Sequence, residues 1–557
     1  MLVTVFVLAL VVYAAVGIYF WRKSQTTEGY YVADRKGSLL LMTGTITASW
    51  ASVVGFVGFT GNAWNIGFSP VTLIWSFWGY ALIFTFVLGI PLRRFGGYTV
   101  PDFFGDRFNS NALRAVAAVI IIISVGAYAI VQIVGMGVVL NALGISYLTG
   151  TIIASAIVLL YVLTGGMWAV IVTETIQFFI FLAAGVVLLP AVLLFIGGGS
   201  FVEGFKVLVV DLPSKHPHLL TAFGGAGFGW VLANNLAWNL GIPPMPHLIS
   251  RAYIAENERT LAKAILLTVT IGIPWCWLIY PSGTAMRAVW TNINQIGGSV
   301  DNVMPNIVKT VLPEWLGALV LAGVMAVALS TVASQIPQIA FGVARDIYHK
   351  IINPNASDKK ILNLTRGVII VIAPIFVFLA AIKPVTIMVM GVWAAAVSAG
   401  AFLPAFIAGI YWRRATKSAV LSGMVVSTLL AMLFTIKVLP LPFNLHMIYW
   451  VVLASMLVII VGSYLTKPTP NELSIFDTLS QKMSQRTDLP EAGRKDYMVP
   501  FISIAVSLLF LLVYGATFLA FPGSKAGWDL FGAIAYTEAI PVVTALIIIY
   551  KFKNKTL

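Results

Sequence analysis

Adjacent hydroxyl side chains inside an apolar stretch are the first groups of this sequence that could do chemistry. Ser330 and Thr331 are neighbours there, and Ser334 follows one helical turn later. Hard cations such as Na⁺ bind oxygen ligands. These hydroxyls, together with carbonyls from an unwound segment, would therefore form an oxygen cage for a cation. An alternative stays open, because a hydroxyl on a helix can also bond back to the i−4 carbonyl.

One acidic residue stands out inside the expected membrane core. It is Glu174, in the segment Ile171-Val-Thr-Glu-Thr-Ile-Gln177. An ionisable group inside a transmembrane segment is costly and by default suggests a functional site. Glu174 could lie near a second cation or take part in a cytoplasmic gate. It is also only about one to two helical turns from the expected cytoplasmic end of its span, so it could instead reach the interface and cap a helix.

A third group of side chains is aromatic and amide-rich, which suits the lining of a solute pocket. Tryptophan in a membrane often belongs to an interfacial belt, and an amide at mid-membrane is costly unless it bonds something. We predict substrate contact for the following residues: Trp50, Ser52, Trp75, Trp78, Tyr128, Gln132, Asn235, Trp238, Asn239 and Trp393.

The element that must position these groups is the stretch 41–67, which is long enough to cross a bilayer but poor at being a plain helix. Gly44, Gly55, Gly58 and Gly61 interrupt it, and hydroxyl residues are scattered along it. Backbone unwinds at membrane depth only where it lines a cavity or is buried in protein. A broken span of this kind suits the binding of a cation and a small solute. The alternative is that small residues simply let helices pack closely.

Composition makes this an integral membrane protein. The 557 residues are 59% hydrophobic and 10% charged, whereas soluble domains carry about 25% charged residues. The sequence predicts an all-α, polytopic protein of the cell membrane, in contact with lipid on many faces. We predict fifteen spans, at 2–21, 38–67, 71–92, 113–142, 146–164, 168–197, 223–249, 261–286, 314–344, 365–382, 385–411, 418–436, 447–466, 499–521 and 535–550.

Loop charges predict the orientation and exclude several functions. Basic loops alternate with loops that hold isolated cations, and by the positive-inside rule the N-terminus is outside and the C-terminus inside. The net charge of +14 lies in these short loops, so it does not indicate a nucleic-acid partner. The sequence has no P-loop and no hydrophilic stretch long enough for a catalytic domain, so we expect no enzyme, and no obligate protein partner is evident.

Two sets of five spans, each opening with an interrupted span, predict an inverted repeat around a central site. The second interrupted span carries Gly241-Ile-Pro-Pro-Met-Pro246. We expect this division of the chain: 1–37 as an extra helix and first cytoplasmic loop, 38–197 as the first repeat, 198–222 as an external loop, 223–411 as the second repeat, 412–466 as two peripheral helices, 467–498 as a cytoplasmic loop that is partly helical, and 499–557 as two C-terminal helices and a basic tail.

Several motifs together resemble the sodium/solute symporter family, on its proline, acetate and pantothenate side rather than among the sugar carriers. Ala48-Ser-Trp-Ala51-Ser52 resembles the family's broken first core helix, and Thr173-Glu174-Thr-Ile-Gln177 resembles its T-D-x-x-Q signature. Pro246-His247-Leu-Ile-Ser-Arg251 is similar to the P-H-x-x-x-R of the proline and acetate carriers. The segments 326–331, 345–348 and 409–417 also resemble, in their residue types, segments of that family.

The resemblance implies a LeuT-like 5+5 inverted-repeat fold and sodium-coupled uptake. It implies a Na⁺ site made of the carbonyls of Ala48, Ala51 and Val327 and the hydroxyls of Ser330 and Thr331. Two departures bear on a second sodium ion. Glu174 stands where many relatives have Asp, and position 333 is Ala, which leaves only Ser334 of a second hydroxyl pair.

The expected function is a sodium-coupled symporter that imports a small organic solute by alternating access. A half-helix N-terminus that faces the pocket would favour a carboxylate on that solute. Two alternatives stay open. One is a proton-coupled carrier of the same fold with Glu174 as the proton site, and the other is a sensor or regulatory protein that keeps the transporter fold.

Overall fold

The computed structural model describes residues 2–67, 76–142, 144–221, 223–382, 386–485 and 489–557, and the regular elements within them are helices joined by short loops. The described part contains no β-strand beyond one isolated bridge between Gly37 and Ala255. Ten described helices are long and apolar enough to cross a membrane, and one bent pair makes eleven. The chain is therefore an all-α polytopic membrane protein, and fifteen spans with the N-terminus outside stay a prediction.

The main helices are labelled in chain order. They are α1 (Leu2–Phe20), α2 (Leu39–Trp50), α3 (Val54–Ile66), α4 (Gly79–Gly89), α5 (Ile90–Phe95), α6 (Val100–Arg107), α7 (Asn111–Ala142), α8 (Tyr147–Val186), α9 (Leu188–Ile196), α10 (Gly227–Gly241), α11 (Pro246–Ile254), α12 (Glu258–Ala285), α13 (Glu314–Phe341), α14 (Asp358–Ile382), α15 (Ile387–Tyr411), α16 (Lys417–Thr435), α17 (Met447–Leu465), α18 (Pro470–Ser484), α19 (Arg494–Leu519) and α20 (Lys525–Lys553).

The glycine-rich stretch breaks where Ala51 and Ser52 separate α2 from α3, and the two helices meet at an angle of 51°. Ala51 has extended backbone angles, φ −64° and ψ 131°. The first turns of α3, Val54–Phe59, are π-helical, and such turns are frequent at functional sites. The last carbonyls of α2 and the first amides of α3 thus lose their helical partners inside the protein.

The second interrupted span is also two helices, α10 and α11, and it extends past the predicted end at 249 to Ile254. Met245 is extended, with φ −60° and ψ 130°, and Pro246 opens α11. Proline suits the first position of a helix because its missing N–H would lack a partner there anyway. The break therefore follows from Pro243, Pro244 and Pro246, as the sequence indicated.

The helix α8 runs through two predicted spans, 146–164 and 168–197, and Gly166 marks the bend between them. Gly166 has φ +53° and ψ −148°. This left-handed backbone favours glycine, and an added Cβ would come within 2.6 Å of the Tyr30 ring. A side chain at this bend would therefore displace Tyr30.

The core places α2 between α8, α12 and α13. Gly44 permits close contact with α8, since a Cβ on Gly44 would lie 2.8 Å from the Thr175 Cα. The stretch 467–498 contains the helix α18, which packs against α5. At the end of the chain α19 and α20 pack against each other, and both pack against α12.

Candidate functional site

The five oxygens of the expected sodium site lie together between the end of α2 and the middle of α13. The Ser330 hydroxyl donates to the carbonyls of Ala48 and Val327, each at 3.0 Å. The Thr331 hydroxyl lies 2.8 Å from the carbonyls of Ala51 and Val327. The two hydroxyls therefore bond to a carbonyl of their own helix and also contact the carbonyls at the end of α2, so both interpretations of these hydroxyls apply.

The chemistry of this cluster suits a monovalent cation. All five residues are buried, and the cluster offers two hydroxyl and three carbonyl oxygens without a formal charge. Each hydroxyl has one proton to donate and keeps lone pairs that can face a cation. The carbonyl end of α2 carries the negative end of the helix dipole, which favours a cation there.

Ser334 lies next to this cluster but not in it. Its hydroxyl donates 2.8 Å to the carbonyl of Thr331 within α13. The adjacent Gln335 is also buried, and its amide atoms have no hydrogen-bond partner among the described residues. This part of α13 thus offers polar atoms beyond the five-oxygen cluster, but its one serine is engaged by its own helix.

Glu174 is fully buried and forms an ion pair with Arg251 of α11. Arg251 Nη2 lies 2.9 Å from both carboxylate oxygens. The same nitrogen donates to Ser49 at 2.8 Å, and the Thr45 hydroxyl donates to the carboxylate. Because the side chain has no exposed surface, this structure does not place Glu174 at the interface, where the alternative interpretation put it. The pair links α8 and α11 to the broken helix α2.

A small aromatic cavity lies at the break, between α2, α3, α7, α10 and α12. Four of the predicted substrate residues line it, namely Trp50, Ser52, Tyr128 and Trp238. The cavity volume is about 20 Å³, which holds about one water molecule. The cavity is therefore too small for an organic solute in this conformation, and aromatic side chains would have to move for one to enter.

The polar groups at this cavity are hydroxyls and an indole. Ser52 and Tyr128 form a 3.0 Å hydrogen bond between their hydroxyls, and the Tyr128 ring stacks on His247 at 6.2 Å between centroids. The Trp238 N–H is buried without a hydrogen-bond partner in the described chain. These groups can donate hydrogen bonds to an acceptor on a solute.

The other predicted substrate residues that the structure describes lie outside the cavity. Gln132 accepts the Val53 N–H at 3.0 Å and so caps α3. Asn239 accepts the Gly79 N–H at 2.6 Å and donates to Asn235. Buried amides must be bonded, and here the partner is backbone rather than solute.

Two further predicted tryptophans, Trp393 and Trp78, contact peripheral helices. Trp393 donates to the Thr435 hydroxyl of α16 at 2.5 Å. Trp78 packs edge-on against Tyr536 of α20. Trp75 lies outside the described residues. Among the described residues, the predicted tryptophans that line the cavity, Trp50 and Trp238, lie next to helix breaks. Trp393 and Trp78 instead contact α16 and α20, which lie outside the predicted repeats.

Sequence reasoning missed several cavity residues, chiefly Phe59 on α3 and Trp275 and Tyr280 on α12. Phe59 contacts both Trp238 and Tyr280 through its ring. A signal was present, because Pro274 and Pro281 interrupt α12 on either side of this aromatic pair. Interior prolines kink transmembrane helices and free backbone groups.

Comparison with known proteins shows the family of this chain. The model of the sodium:solute symporter family matches residues 30–427. The osmoregulated proline transporter OpuE of Bacillus subtilis (strain 168) is 27% identical over 491 residues, which is 85% of this chain and 96% of that protein. The sodium/pantothenate symporter of Escherichia coli (strain K12) is 27% identical over 470 residues, covering 82% of this chain and 94% of that protein.

Solved structures share the fold. A Na⁺-coupled sialic acid symporter in a substrate-bound, outward-open state has a TM-score of 0.70 at 18% identity, covering 84% of this chain and 98% of that chain. Mhp1, a nucleobase-cation-symport-1 family transporter, has a TM-score of 0.53 at 12% identity, covering 80% of this chain and 98% of that chain.

The resemblance inferred from the motifs is confirmed, including its proline and pantothenate side. The expectation of a multi-pass protein of the plasma membrane is confirmed as well. Since the family model covers well over half of the 557 residues, this chain belongs to the sodium:solute symporter family.

Proposed function

We propose that this protein is a sodium-coupled symporter that imports a small, carboxylate-bearing organic solute by alternating access. The observation that carries the proposal is the double role of Ala51. Its carbonyl accepts the Thr331 hydroxyl in the five-oxygen cluster, and the same residue lines the aromatic cavity. A cation and a solute would thus bind at two faces of one helix break.

Coupling follows from that shared break. Na⁺ bound to the carbonyls of Ala48 and Ala51 would fix the end of α2 against α13 and so fix the position of Ser52 at the cavity. A solute that binds better to that arrangement would in turn raise the affinity for Na⁺, since coupling between two sites is reciprocal. Each ligand then shifts the population of outward and inward states by its differential affinity.

The break also favours an anionic group on the solute. The first amides of α3 lie at the positive end of a helix, where anions bind, and Gly55 near that end lines the cavity. Ser52, Tyr128 and Trp238 add donors at the wall. Proline and pantothenate, named for the relatives, each carry a carboxylate, which supports the same solute class.

We further propose a stoichiometry of one Na⁺ per solute molecule. Arg251 already neutralises Glu174, the acidic group nearest to α2, so no uncompensated negative charge is left there for a second cation. Fifteen spans, with the N-terminus outside and the C-terminus inside, complete the proposed topology.

The test uses the full chain in proteoliposomes and in detergent. Thermal unfolding with proline, pantothenate, acetate, a sugar or no solute, each with and without Na⁺, identifies the solute class, because a bound ligand raises the unfolding midpoint. We expect a carboxylate to stabilise the protein only when Na⁺ is present. Solute uptake driven by a pH gradient in sodium-free buffer would contradict sodium coupling and favour the proton-coupled alternative.

Counterflow of the stabilising solute distinguishes a transporter from a sensor. A protein that binds the solute with Na⁺ but exchanges none across the liposome membrane would match the sensor alternative instead.

A further inference from the structure

A buried carboxyl group lies in the C-terminal helix pair, outside the site described above. Glu538 is on α20 and has no exposed surface. Neither of its carboxyl oxygens has a hydrogen-bond partner within the described residues. Carboxyl groups inside a membrane are rare and usually paired or functional, yet neither the sodium cluster nor the solute cavity uses this one.

The polar groups around Glu538 are hydroxyls rather than cations. Ser507 of α19 interacts with it, and Ser503 lies one turn earlier on the same helix. Both serines are fully buried, and in the described chain neither hydroxyl has a hydrogen-bond partner. Tyr514, further along α19, is the ionisable neighbour of Glu538 on that helix.

The charged residues of both helices lie near the helix ends. Lys525 and Lys551 are each thirteen residues from Glu538, or about 20 Å along α20 at about 1.5 Å per residue. Asp529 is nine residues away, about 14 Å by the same rise. On α19 the charged residues Arg494, Lys495 and Asp496 lie in the first turn, more than ten residues before Ser507.

Two of the other described elements that pack against α20, α12 and α4, bring no charged side chain near Glu538. On α12, Arg259 and Lys263 pair with Asp496 at the far end, and Cys276 and Tyr280 are buried and uncharged. Tyr80 on α4 is likewise buried. The segments Val207–Asp211 and Pro217–Leu220, which contain Asp211 and His218, also pack against α20. The first segment lies at the N-terminal end of α20, where the Ser524 hydroxyl donates to the carbonyl of Val209.

Glu538 is adjacent to a contact with the helix that lines the solute cavity. The indole N–H of Trp277 on α12 donates a 3.0 Å hydrogen bond to the hydroxyl of Thr537, the residue just before Glu538. Trp275 and Tyr280 of the same helix line the cavity. A change in the packing of α20 at Glu538 would therefore alter its contact with α12, the helix that carries Trp275 and Tyr280 of the cavity wall.

From this geometry we propose that Glu538 is a proton-binding site. The carboxyl group is held in its protonated form between α19 and α20, where the neighbouring Ser507 hydroxyl is the group that can accept a hydrogen bond from its O–H. Burial of an unpaired carboxylate is strongly unfavourable, whereas the neutral acid needs only one acceptor. The bound proton keeps the helix pair closed on α12, and loss of the proton weakens that packing.

Thermal unfolding of the full-length protein in detergent tests this site without a transport measurement. The wild-type midpoint should fall as the pH rises from mildly acidic to alkaline, because the folded protein binds a proton that the unfolded chain releases. Glu538→Gln keeps the shape and removes the charge. It should unfold no earlier than wild type and lose most of the fall at alkaline pH. Glu203→Gln, an exposed acid on a loop helix, should behave as wild type.

Infrared spectroscopy gives an independent reading. The wild-type protein at neutral pH should show a carbonyl stretching band of a protonated carboxylic acid that is absent from Glu538→Gln. Ser507→Ala should keep the band and shift it, because the acid loses its acceptor, and this variant serves if Glu538→Gln does not fold.

Three results would overturn the proposal. One is the absence of that band from wild type, and another is an alkaline fall in stability that Glu538→Gln retains. The third is stabilisation by Na⁺ or K⁺ with a component that Glu538→Gln removes, which would assign the site to a metal cation. The sodium cluster on α2 and α13 is intact in this variant, so failure here leaves the proposed symport untouched.

Discussion

The Thr331 hydroxyl donates a 2.8 Å hydrogen bond to the carbonyl of Ala51, a residue that also lines the aromatic cavity. One contact therefore joins α13 to the break between α2 and α3 and connects the two proposed ligand sites. Because Ala51 belongs to both proposed sites, a cation bound to its carbonyl would also fix its position in the cavity wall.

Removal of either hydroxyl of the cluster should weaken sodium binding. Ser330→Ala or Thr331→Ala should raise the sodium concentration for half-maximal uptake about 10-fold to 100-fold, since a contact with a charged group contributes about 1.5–3 kcal/mol. Uptake at varied Na⁺ and fixed solute measures this.

Thr428→Ala is the matched control for that experiment. Thr428 is also buried and also donates to its i−4 carbonyl, on the peripheral helix α16. It should leave the sodium dependence unchanged. Unchanged sodium dependence in both cluster variants would remove Ser330 and Thr331 from the site.

The ratio of sodium uptake to solute uptake should be one Na⁺ per solute molecule, since Arg251 neutralises the charge of Glu174. Parallel uptake of labelled Na⁺ and labelled solute in proteoliposomes measures this ratio, and sodium activation should show a Hill coefficient of about one. A ratio of two would mean that a further cation site exists despite the ion pair.

The Glu174–Arg251 pair should contribute to stability mainly because each charge needs the other. Glu174→Met or Arg251→Met alone should destabilise the protein by about 3–5 kcal/mol, because each leaves an uncompensated buried charge. The double variant should be more stable than either single variant. Thermal unfolding in detergent tests this, and additive losses would show that the two side chains act independently.

An exposed ion pair gives the comparison for this cycle. Lys206 and Glu203 are both about half exposed, and exposed pairs contribute about 0–1 kcal/mol. Glu203→Met should therefore change the unfolding midpoint little.

A change at the cavity wall should alter solute affinity first. Tyr128→Phe removes the hydroxyl that bonds Ser52 and should raise the solute concentration for half-maximal uptake about 10-fold, the effect of losing one hydrogen bond of about 1.4 kcal/mol. Sodium binding without solute, measured by thermal unfolding, should stay as in wild type.

Trp393→Phe and Tyr147→Phe control for loss of a ring polar group away from the cavity. Trp393 bonds Thr435 and Tyr147 bonds the carbonyl of Ala380. A larger loss of solute affinity in Trp393→Phe than in Tyr128→Phe would move the solute site toward α16.

The sequence by itself determined the membrane class, an interruption within the stretch 41–67 and the hydroxyls proposed to hold sodium. These features are local. Hydropathy predicts spans, glycine and proline predict which spans are interrupted, and hydroxyls four residues apart, such as those of Ser330 and Ser334, share a helix face by spacing alone. The family resemblance then implied which backbone carbonyls face the hydroxyls of Ser330 and Thr331.

Only the tertiary structure decided which polar groups satisfy one another. Glu174 and Arg251 are 77 residues apart, and nothing local to either predicts their pairing. Trp50 and Trp393 are both deep tryptophans in the sequence, yet one lines the cavity and the other bonds Thr435. A buried polar side chain must find a partner, but whether that partner is a solute, a backbone group or another side chain depends on how the helices pack.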